Sequence, residues 1–221
     1  MGLGKGRGFR HTAALVVLLA VVSMSGCMLF NPAPAVLYQE TFSGATADQW
    51  PVGETENRNK WIEGGKYHVQ FKTTEYWWTS SWNDDQGPFD DFQLECDIAH
   101  INGTNNLSAA GLIFRVVDGD NYYVFRISPA GSYSIREVID GTWNTIVDWT
   151  TSSEILTGTA TNHVTIYADG SSLTFFVNGE EIDAVVDGSL SAGFVGLIAT
   201  SFDGNSDMHV SFDNIVVTEL E

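Results

Sequence analysis

The residue types best suited to contact a ligand are concentrated between residues 73 and 82, where the chain reads TTEYWWTSSW. In an extended strand successive side chains point to opposite faces, so Trp77 and Trp78 cannot both enter one core. At least one of them, with Tyr76 and Trp82 nearby, is therefore a candidate for an exposed aromatic platform. Such a platform suits the apolar C–H face of a sugar or another apolar ring ligand. The alternative is that loop curvature buries all four rings.

A second set of candidates consists of charged residues. Glu95 and Asp97 share one face of a predicted strand, and Arg115 and Arg126 share a face with Tyr122 in the hairpin that follows. If the two faces adjoin, the four charges form a lattice across one sheet, because arginines opposite each other repel unless carboxylates intervene. Two interpretations remain open. One is a partly solvated ion-pair network, and the other is a polar floor that binds sugar hydroxyls.

A long hairpin positions these arginines. Its arms are residues 110–117 and 122–128, and both alternate with period two. One face is apolar and is predicted to enter the core: Leu112, Phe114, Val116, Tyr123, Phe125 and Ile127. The other face is predicted to be a semi-exposed sheet surface, where a site is expected: Ile113, Arg115, Val117, Tyr122, Val124 and Arg126.

The rest of the chain also reads as strands. Roughly twelve to fourteen strands follow one another at turn spacings of about 8–12 residues. The dipeptides Asp140-Gly141, Asp169-Gly170 and Asn178-Gly179 are strong hairpin signals. The 22 glycines and 12% aromatic residues are typical of all-β proteins with many turns. The fold class is therefore predicted as all-β, a two-sheet antiparallel β-sandwich.

Residues 1–26 have the order of a secretory signal. Three basic residues precede an apolar run, Thr12 to Val22, that is shorter than the bilayer span of about 20 residues. Small residues then precede Cys27, which resembles the bacterial lipobox and implies cleavage before Cys27 and lipid attachment to it. The alternative is an ordinary secretory signal with an incidental cysteine.

The resulting domain organisation is a signal peptide (1–26), a lipidated cysteine with a proline-containing tether (27–37), and one folded domain (38–221). The tether would hold the domain in the cell envelope. The lipid would anchor it on the outer side of the cytoplasmic membrane or on the outer membrane.

Charge and cysteine content exclude some classes of function. The formal net charge is −18, and residues 27–221 carry 7 basic and 28 acidic side chains. Such a surface repels phosphates, so nucleic acid is not an expected partner. If Cys27 carries lipid, Cys96 has no partner for a disulfide. Its alternation with Leu94 and Ile98 predicts a buried thiol.

Six segments occur in an order that resembles the concanavalin A-like lectin/glucanase jelly roll, in particular its laminin-G-like domains and its 3-keto-disaccharide hydrolase-like domains related to family 16 glycoside hydrolases. They are 89–95 (FDDFQLE), 111–115 (GLIFR), 121–127 (NYYVFRI), 176–179 (FVNG), 193–197 (GFVGL) and 212–217 (FDNIVV). The resemblance covers the chain from about residue 38 onward. It implies two curved antiparallel sheets with carbohydrate usually bound on the concave face. It implies little about function, because this fold carries lectins, hydrolases and adhesion modules.

The resemblance also raises the question of catalysis. Family 16 hydrolases carry Glu-x-Asp-x-(x)-Glu on one strand, and retaining hydrolysis needs two carboxyl groups about 5–5.5 Å apart. Residues 95–100 here read ECDIAH, in which the second glutamate is missing. His100 could in principle transfer a proton, but alternation places it on the core face with Ile98. No catalytic residues are therefore assigned.

Relatives of this fold often hold a structural calcium ion between the first strand, a glycine turn and an aspartate near the last strand. The positions that match are Glu40, the carbonyl of Gly65, and Asp213. Oxygen donors of this kind suit calcium. For Asp213 the alternative is a hydrogen bond that caps the last strand.

These observations favour a membrane-anchored lipoprotein whose jelly-roll domain binds a polysaccharide or oligosaccharide without cleaving it. The predicted contact residues are Tyr76, Trp77, Trp78, Trp82, Glu95, Asp97, Arg115, Tyr122 and Arg126. Two alternatives stay open: a glycoside hydrolase of the keto-disaccharide or glucanase type, and an adhesion or assembly module that binds protein. Two close carboxylates in a deep cleft would favour the hydrolase, and a flat apolar sheet face would favour a protein partner.

Overall fold

The computed structural model describes residues 33–73, 75–102, 108–202 and 208–220. Cys27 and the signal segment lie outside the described residues. The strands are β1 (Val36–Glu40), β2 (Gly53–Glu54), β3 (Arg58–Glu63), β4 (Lys66–Phe71), β5 (Trp77–Trp82), β6 (Phe92–Asn102), β7 (Ser108–Asp118), β8 (Asn121–Ser128), β9 (Ser132–Ile139), β10 (Thr142–Thr151), β11 (Thr161–Asp169), β12 (Ser172–Val177), β13 (Glu180–Val186), β14 (Phe194–Ser201) and β15 (His209–Thr218). No helix in these four ranges is long and apolar enough to cross a membrane.

The strands form two antiparallel sheets that pack face to face around one core. The nine-stranded sheet has the order β13-β12-β11-β6-β15-β4-β3-β2, and β1 also pairs with β15. The six-stranded sheet has the order β10-β9-β8-β7-β14-β5. This confirms the predicted two-sheet sandwich. The described ranges hold fifteen strands, slightly more than the roughly twelve to fourteen expected, and a 3-10 helix, Ala45–Gln49, lies between β1 and β2.

The core forms from alternate residues of both sheets, as the period-two patterns predict. In β4 the side chains of Tyr67, Val69 and Phe71 are buried, whereas those between them are half-buried. Cys96 is a free, fully buried cysteine, in agreement with its predicted place on the core face of β6. His100 is also buried, as the alternation with Ile98 predicts.

The predicted glycine-containing turns connect the hairpins. Asp140 and Gly141 join β9 to β10 with φ angles of 50° and 73°, and Asn178 and Gly179 join β12 to β13 with 55° and 88°. Both residues of such a turn lie in the left-handed region, which glycine, asparagine and aspartate tolerate best. The first turn sets the register of two strands in the six-stranded sheet, and the second does so in the nine-stranded sheet.

A β-bulge at Arg115 interrupts the alternation of β7. Arg115 has a φ of 48°, and the register between β7 and β8 shifts between Phe114 and Asp118. A bulge adds one residue to a strand and so reverses which face the following side chains occupy. Phe114 faces the core, but Val116 packs with Ile113 on the opposite face of the sheet. The prediction that Val116 enters the core is wrong for this reason.

Candidate functional site

The outer face of the six-stranded sheet is lined with aromatic side chains. We call the following residues the aromatic face: Tyr76, Trp78, Trp82, Tyr122, Trp143, Trp149 and Phe202. Alternation in β5 turns Trp78 and Trp82 outward while Thr79 and Ser81 are buried. Trp78 and Trp143 meet edge to face with ring centroids 5.5 Å apart, an arrangement that aromatic quadrupoles favour.

Arg126 projects from β8 into the aromatic face. Its guanidinium carbon is 5.5 Å from the ring centroid of Trp143 and also 5.5 Å from that of Trp149. Its Nη1 donates to Thr200 Oγ1 at 3.1 Å, and the residue is only 3% exposed. Burial lowers the pKa of Arg126 to about 10, which leaves the side chain charged at neutral pH. The two indole faces stabilise this buried cation.

Four buried polar atoms in this region have no hydrogen-bond partner in the protein: Arg126 Nε, Tyr122 Oη, Ser134 Oγ and Arg136 Nε. Arg126 and Ser134 are directly opposite each other in the β8–β9 pairing. Burial raises the pKa of Tyr122 to about 12, so its hydroxyl keeps its proton. Because buried polar groups are normally hydrogen-bonded, this group of unused donors and acceptors indicates a place where a ligand or water binds.

The contact between Trp78 and Trp143 shows that the sheet curves toward this face. Trp78 lies on β5 and Trp143 on β10, the two edges of the six-stranded sheet. Five strand spacings would separate these edges by roughly 24 Å in a flat sheet, too far for two side chains to meet. A cavity of about 380 Å³ adjoins the rings and is lined by Tyr76, Trp77 and Trp78.

The rings cover an apolar layer that we expected to be semi-exposed. Ile113, Val124 and Ile198 are fully buried although they lie on the outer face, because Trp78, Trp82 and Trp143 pack over them. The expectation of a semi-exposed surface is therefore wrong for Ile113, Tyr122, Val124 and Arg126, which are buried. Val117 is exposed at the end of β7, beyond the bulge.

Five of the predicted contact residues come together here, namely Tyr76, Trp78, Trp82, Tyr122 and Arg126. Trp77 is turned the other way and packs against the main core, as expected for neighbours in a strand. Sequence reasoning missed Trp143, Trp149 and Phe202. The available signal was the alternation of β10, but nothing in that pattern indicates that β10 curls toward β5.

Arg115 does not belong to this face, and its prediction as a sugar contact is wrong. The bulge turns its side chain to the end of the sandwich, where it is fully buried. Its Nη1 donates to the carbonyls of Gly170 and Leu190 at 2.6 and 3.0 Å, and its Nη2 donates to the carbonyl of Asp90 at 3.0 Å. Asp91 is an ion-pair partner at 3.5 Å. Arg115 therefore holds three chain segments together.

Glu95 and Asp97 lie on the nine-stranded sheet, so the predicted lattice with the arginines is wrong. Both point to the outer face of β6, where His163 of β11 lies beside them. His163 Nδ1 is 2.8 Å from Asp97 Oδ1, and His163 Nε2 is 3.8 Å from Glu95 Oε2. Asn214 Nδ2 donates to Asp97 Oδ2 at 2.8 Å. The two carboxylates belong to a partly solvated polar network on the opposite side of the sandwich.

The predicted calcium ligands lie on neighbouring segments. Glu40 of β1 pairs with Ile215 of β15, two residues after Asp213. A Cβ built on Gly65 would lie 3.6 Å from the carbonyl oxygen of Thr41, so the glycine turn adjoins the end of β1. Glu40 is 1% exposed; its Oε1 accepts a hydrogen bond from the Phe42 amide, and its Oε2 has no partner. An orphaned buried carboxylate oxygen fits a cation site.

Other features of the described ranges offer weaker sites. No three His, Cys, Asp or Glu side chains in those ranges form a group that could hold a metal ion. A cavity of about 510 Å³ lies on the outer face of the nine-stranded sheet, lined by Gln93, Tyr167, Asp169, Ser172, Thr174, Phe176, Glu181 and Leu220.

Solved structures with this fold include carbohydrate-binding and carbohydrate-cleaving proteins. The carbohydrate-binding module CBM66 of Bacillus subtilis aligns with a TM-score of 0.57 at 20% identity, covering 77% of this chain and 96% of the module. The β-glucanase of Bacillus licheniformis aligns with 0.59 at 8% identity, covering 86% and 100%. A Bacteroides ovatus GH16 protein in complex with a G4G4G3G product aligns with 0.58 at 9% identity, covering 82% and 99%. At these identities the likeness concerns the fold. No curated protein matches the chain by sequence.

The sequence match to a family is more direct. Residues 98–218, more than half of the 221-residue chain, match the family described as the concanavalin A-like lectin/glucanases superfamily, Laminin_G_3. The matched segment contains strands of both sheets, from the end of β6 to β15. It includes Trp143 of the aromatic face and Arg126, which projects into that face. The chain therefore belongs to the concanavalin A-like lectin/glucanases superfamily.

Proposed function

We propose that the protein is a carbohydrate-binding lipoprotein of the cell envelope and that the aromatic face is its sugar-binding surface. The observation that carries this proposal is the group of unpartnered polar atoms on Arg126, Tyr122 and Ser134 beside exposed rings. Tyr76 and Trp149 are 48% and 36% exposed and offer ring surface to solvent. A sugar combines apolar C–H faces with hydroxyls, so it matches a surface of rings and unused hydrogen-bonding groups.

The positions of the carboxylates favour binding without cleavage. Retaining hydrolysis needs two carboxyl groups about 5–5.5 Å apart beside the bound sugar. Glu95 and Asp97, which most resemble such a pair, lie on the other sheet. Asp148 lies near the aromatic face, but its side chain is highly exposed and pairs with Arg136 at 3.4 Å. This arrangement supports a lectin-like role over a hydrolase.

The test is affinity electrophoresis of the purified protein through native gels that contain a panel of polysaccharides. We expect retardation in at least one gel whose polymer stays intact. The Trp149→Ala variant removes one ring and should weaken binding by roughly tenfold, about 1.4 kcal/mol. Trp61→Ala is the matched control, because Trp61 is a half-buried tryptophan on the other sheet and its removal should leave retardation unchanged.

Three outcomes would contradict this proposal in different ways. Clearing of the polymer would show hydrolysis and would make the glucanase-like alternative correct. Equal loss of retardation in the Trp149 and Trp61 variants would move the site away from the aromatic face. Absence of retardation in every gel, together with absence of binding to short oligosaccharides that present many chain ends, would favour an adhesion or assembly module that binds protein.

We also propose that lipid on Cys27 anchors the domain to a membrane. The support is the sequence of residues 1–27, in which a basic segment, a short apolar run and small residues precede the cysteine. Labelling of cells with a palmitate analogue should mark the protein, and Cys27→Ser should abolish the label and release the protein from membranes. An unlabelled native protein would instead indicate an ordinary secretory signal.

A structural calcium ion bound by Glu40, Asp213 and the Gly65 carbonyl is a further proposal, and the orphaned Oε2 of Glu40 supports it. A ligand that binds only the folded state stabilises it, so the melting temperature rises as the concentration of the ligand increases. We expect EDTA to lower the melting temperature and added Ca²⁺ to restore it, and we expect Glu40→Gln to abolish this response. A melting temperature that chelator does not change would contradict the site.

A further inference from the structure

Two histidines on the outer face of the nine-stranded sheet converge on each other. His68 lies on β4 and His209 on β15, strands that pair directly. Nδ1 of His68 and Nε2 of His209 are 2.9 Å apart. Trp61 of β3 stacks on His68 with ring centroids 5.0 Å apart and packs against His209 at 5.1 Å. Three strands therefore hold the two imidazoles in one orientation.

The spacing of the two nitrogens matches that of two ligands of one metal ion. Imidazole nitrogens bind Zn²⁺ and similar ions at about 2.0–2.1 Å. Two such nitrogens are therefore about 2.9 Å apart if they meet the ion at a right angle, and about 3.3 Å apart at a tetrahedral angle. The observed 2.9 Å lies at the lower end of this range, so no rearrangement of the backbone is needed.

The second nitrogen of His68 is arranged as metal-binding histidines usually are. Its Nε2 is 3.2 Å from the carbonyl oxygen of Glu63. A proton on Nε2 that donates to this carbonyl leaves the lone pair of Nδ1 directed toward His209. A backbone acceptor of this kind typically fixes the tautomer and orientation of a metal-bound histidine. When an ion binds, the proton that lay between the two rings moves to Nδ1 of His209.

We propose that Nδ1 of His68 and Nε2 of His209 bind one divalent first-row transition metal ion in neighbouring coordination positions, with water in the others. Nitrogen ligands of this kind suit Cu²⁺, Ni²⁺ and Zn²⁺ rather than Ca²⁺. Burial lowers the pKa of both histidines, which favours the neutral form that binds metal. The net charge of −18 raises the local concentration of cations. This site is separate from the aromatic face and does not depend on the proposed sugar binding.

The first experiment uses the unaltered protein and Cu²⁺ in a buffer that does not bind copper. We expect one tight Cu²⁺ per chain, with electron paramagnetic resonance showing hyperfine coupling to two imidazole nitrogens. Affinity should follow the order Cu²⁺ above Ni²⁺ and Zn²⁺. Bound Cu²⁺ should also quench the fluorescence of Trp61, and Trp61→Phe should remove that part of the quenching.

Substitutions then locate the site. His68→Gln and His209→Gln should each weaken Cu²⁺ binding by about tenfold or more. His163→Gln is the matched control, since His163 is a half-buried histidine of the same sheet face that pairs with Asp97 rather than with another histidine. The His163→Gln variant should bind Cu²⁺ with an affinity within about twofold of that of the unaltered protein. Removal of a metal ligand should instead weaken the affinity by about tenfold or more.

The proposal fails if His68→Gln or His209→Gln keeps its native near-ultraviolet circular dichroism and binds Cu²⁺ as tightly as the unaltered protein. It also fails if the resonance spectrum shows fewer than two imidazole nitrogens, a result that needs no variant to fold. Loss of binding in both glutamine variants but not in His163→Gln, together with the two-nitrogen spectrum, would establish the site.

Discussion

Arg115 and Arg126 occupy different environments although their sequence patterns are the same. Arg115 is surrounded by carbonyl oxygens of Asp90, Gly170 and Leu190, so all its nitrogens have acceptors. Arg126 lies between indole faces with its Nε unused. A guanidinium with a full set of acceptors is structural, whereas the unused Nε of Arg126 is the donor that the proposed sugar-binding surface leaves for a ligand.

Substitution of Arg115 should therefore affect folding and leave binding intact. Arg115→Met leaves the carbonyls of three segments without a donor, and each lost partner of a buried group costs about 1–3 kcal/mol. We expect urea unfolding to show a loss of about 3 kcal/mol or more in unfolding free energy. Arg136→Met, which removes a partly exposed arginine, should cost less than about 1 kcal/mol. Folded Arg115→Met that loses sugar binding would contradict this assignment.

His100 should make the fold sensitive to mild acid. Burial lowers its pKa to about 4, and its Nε2 has no hydrogen-bond partner. An unfolded chain takes up this proton near pH 6.5, so protonation favours the unfolded state as the pH falls from about 6.5 to about 4. Neutral His100 therefore does not destabilise the fold above about pH 6.5. The lowering of its pKa corresponds to about 3 kcal/mol of unfolding free energy, which is lost as the pH falls to about 4.

The measurement is the unfolding free energy of the native protein and of His100→Leu at several pH values. We expect the native protein to lose more stability than the variant between about pH 6.5 and pH 4. Other acidic groups titrate in this range in both proteins, so only the difference between the two curves is informative. Parallel curves would show that His100 is not a buried neutral base.

At the scale of elements, the close approach of β7 and β8 depends on Gly111. A Cβ built on Gly111 would lie 1.8 Å from the carbonyl oxygen of Phe125. Gly111→Ala must therefore push the two central strands apart, and overpacking of this kind typically costs about 1–3 kcal/mol. We expect a lower melting temperature for Gly111→Ala. Gly119→Ala, in the turn of the same hairpin, meets no atom within 4 Å and should melt close to the native protein.

The strands and turns could largely be predicted from the sequence, because alternation and Asp-Gly or Asn-Gly turns report local backbone geometry. The bulge at Arg115 could not, because no glycine or asparagine marks its left-handed residue. One inserted position was enough to move Val116 and Arg115 away from their expected faces. Local patterns also do not say which strands share a sheet, so Glu95 and Asp97 were predicted on the same surface as the arginines.

For the whole molecule, the two sheets present outer faces of different chemistry. One carries the aromatic face, and the other carries the network of His163, Glu95 and Asp97 together with the pair of His68 and His209. The presence of a candidate site near β5 could be predicted from its tryptophans. Its full extent could not, because Trp143 and Trp149 reach it only through the curvature of a complete six-stranded sheet.

The contact of Trp78 with Trp143 has a consequence for the length of ligand that can bind. The two indoles form a bridge from one sheet edge to the other. The middle of a long polymer that lies across this face must first separate the two rings, whereas the end of a chain can bind on one side of them. We therefore expect the protein to recognise chain ends: short oligosaccharides should compete according to their molar number of ends, and Trp143→Ala should increase binding to the interior of long chains. Competition that depends only on total sugar mass would contradict this consequence.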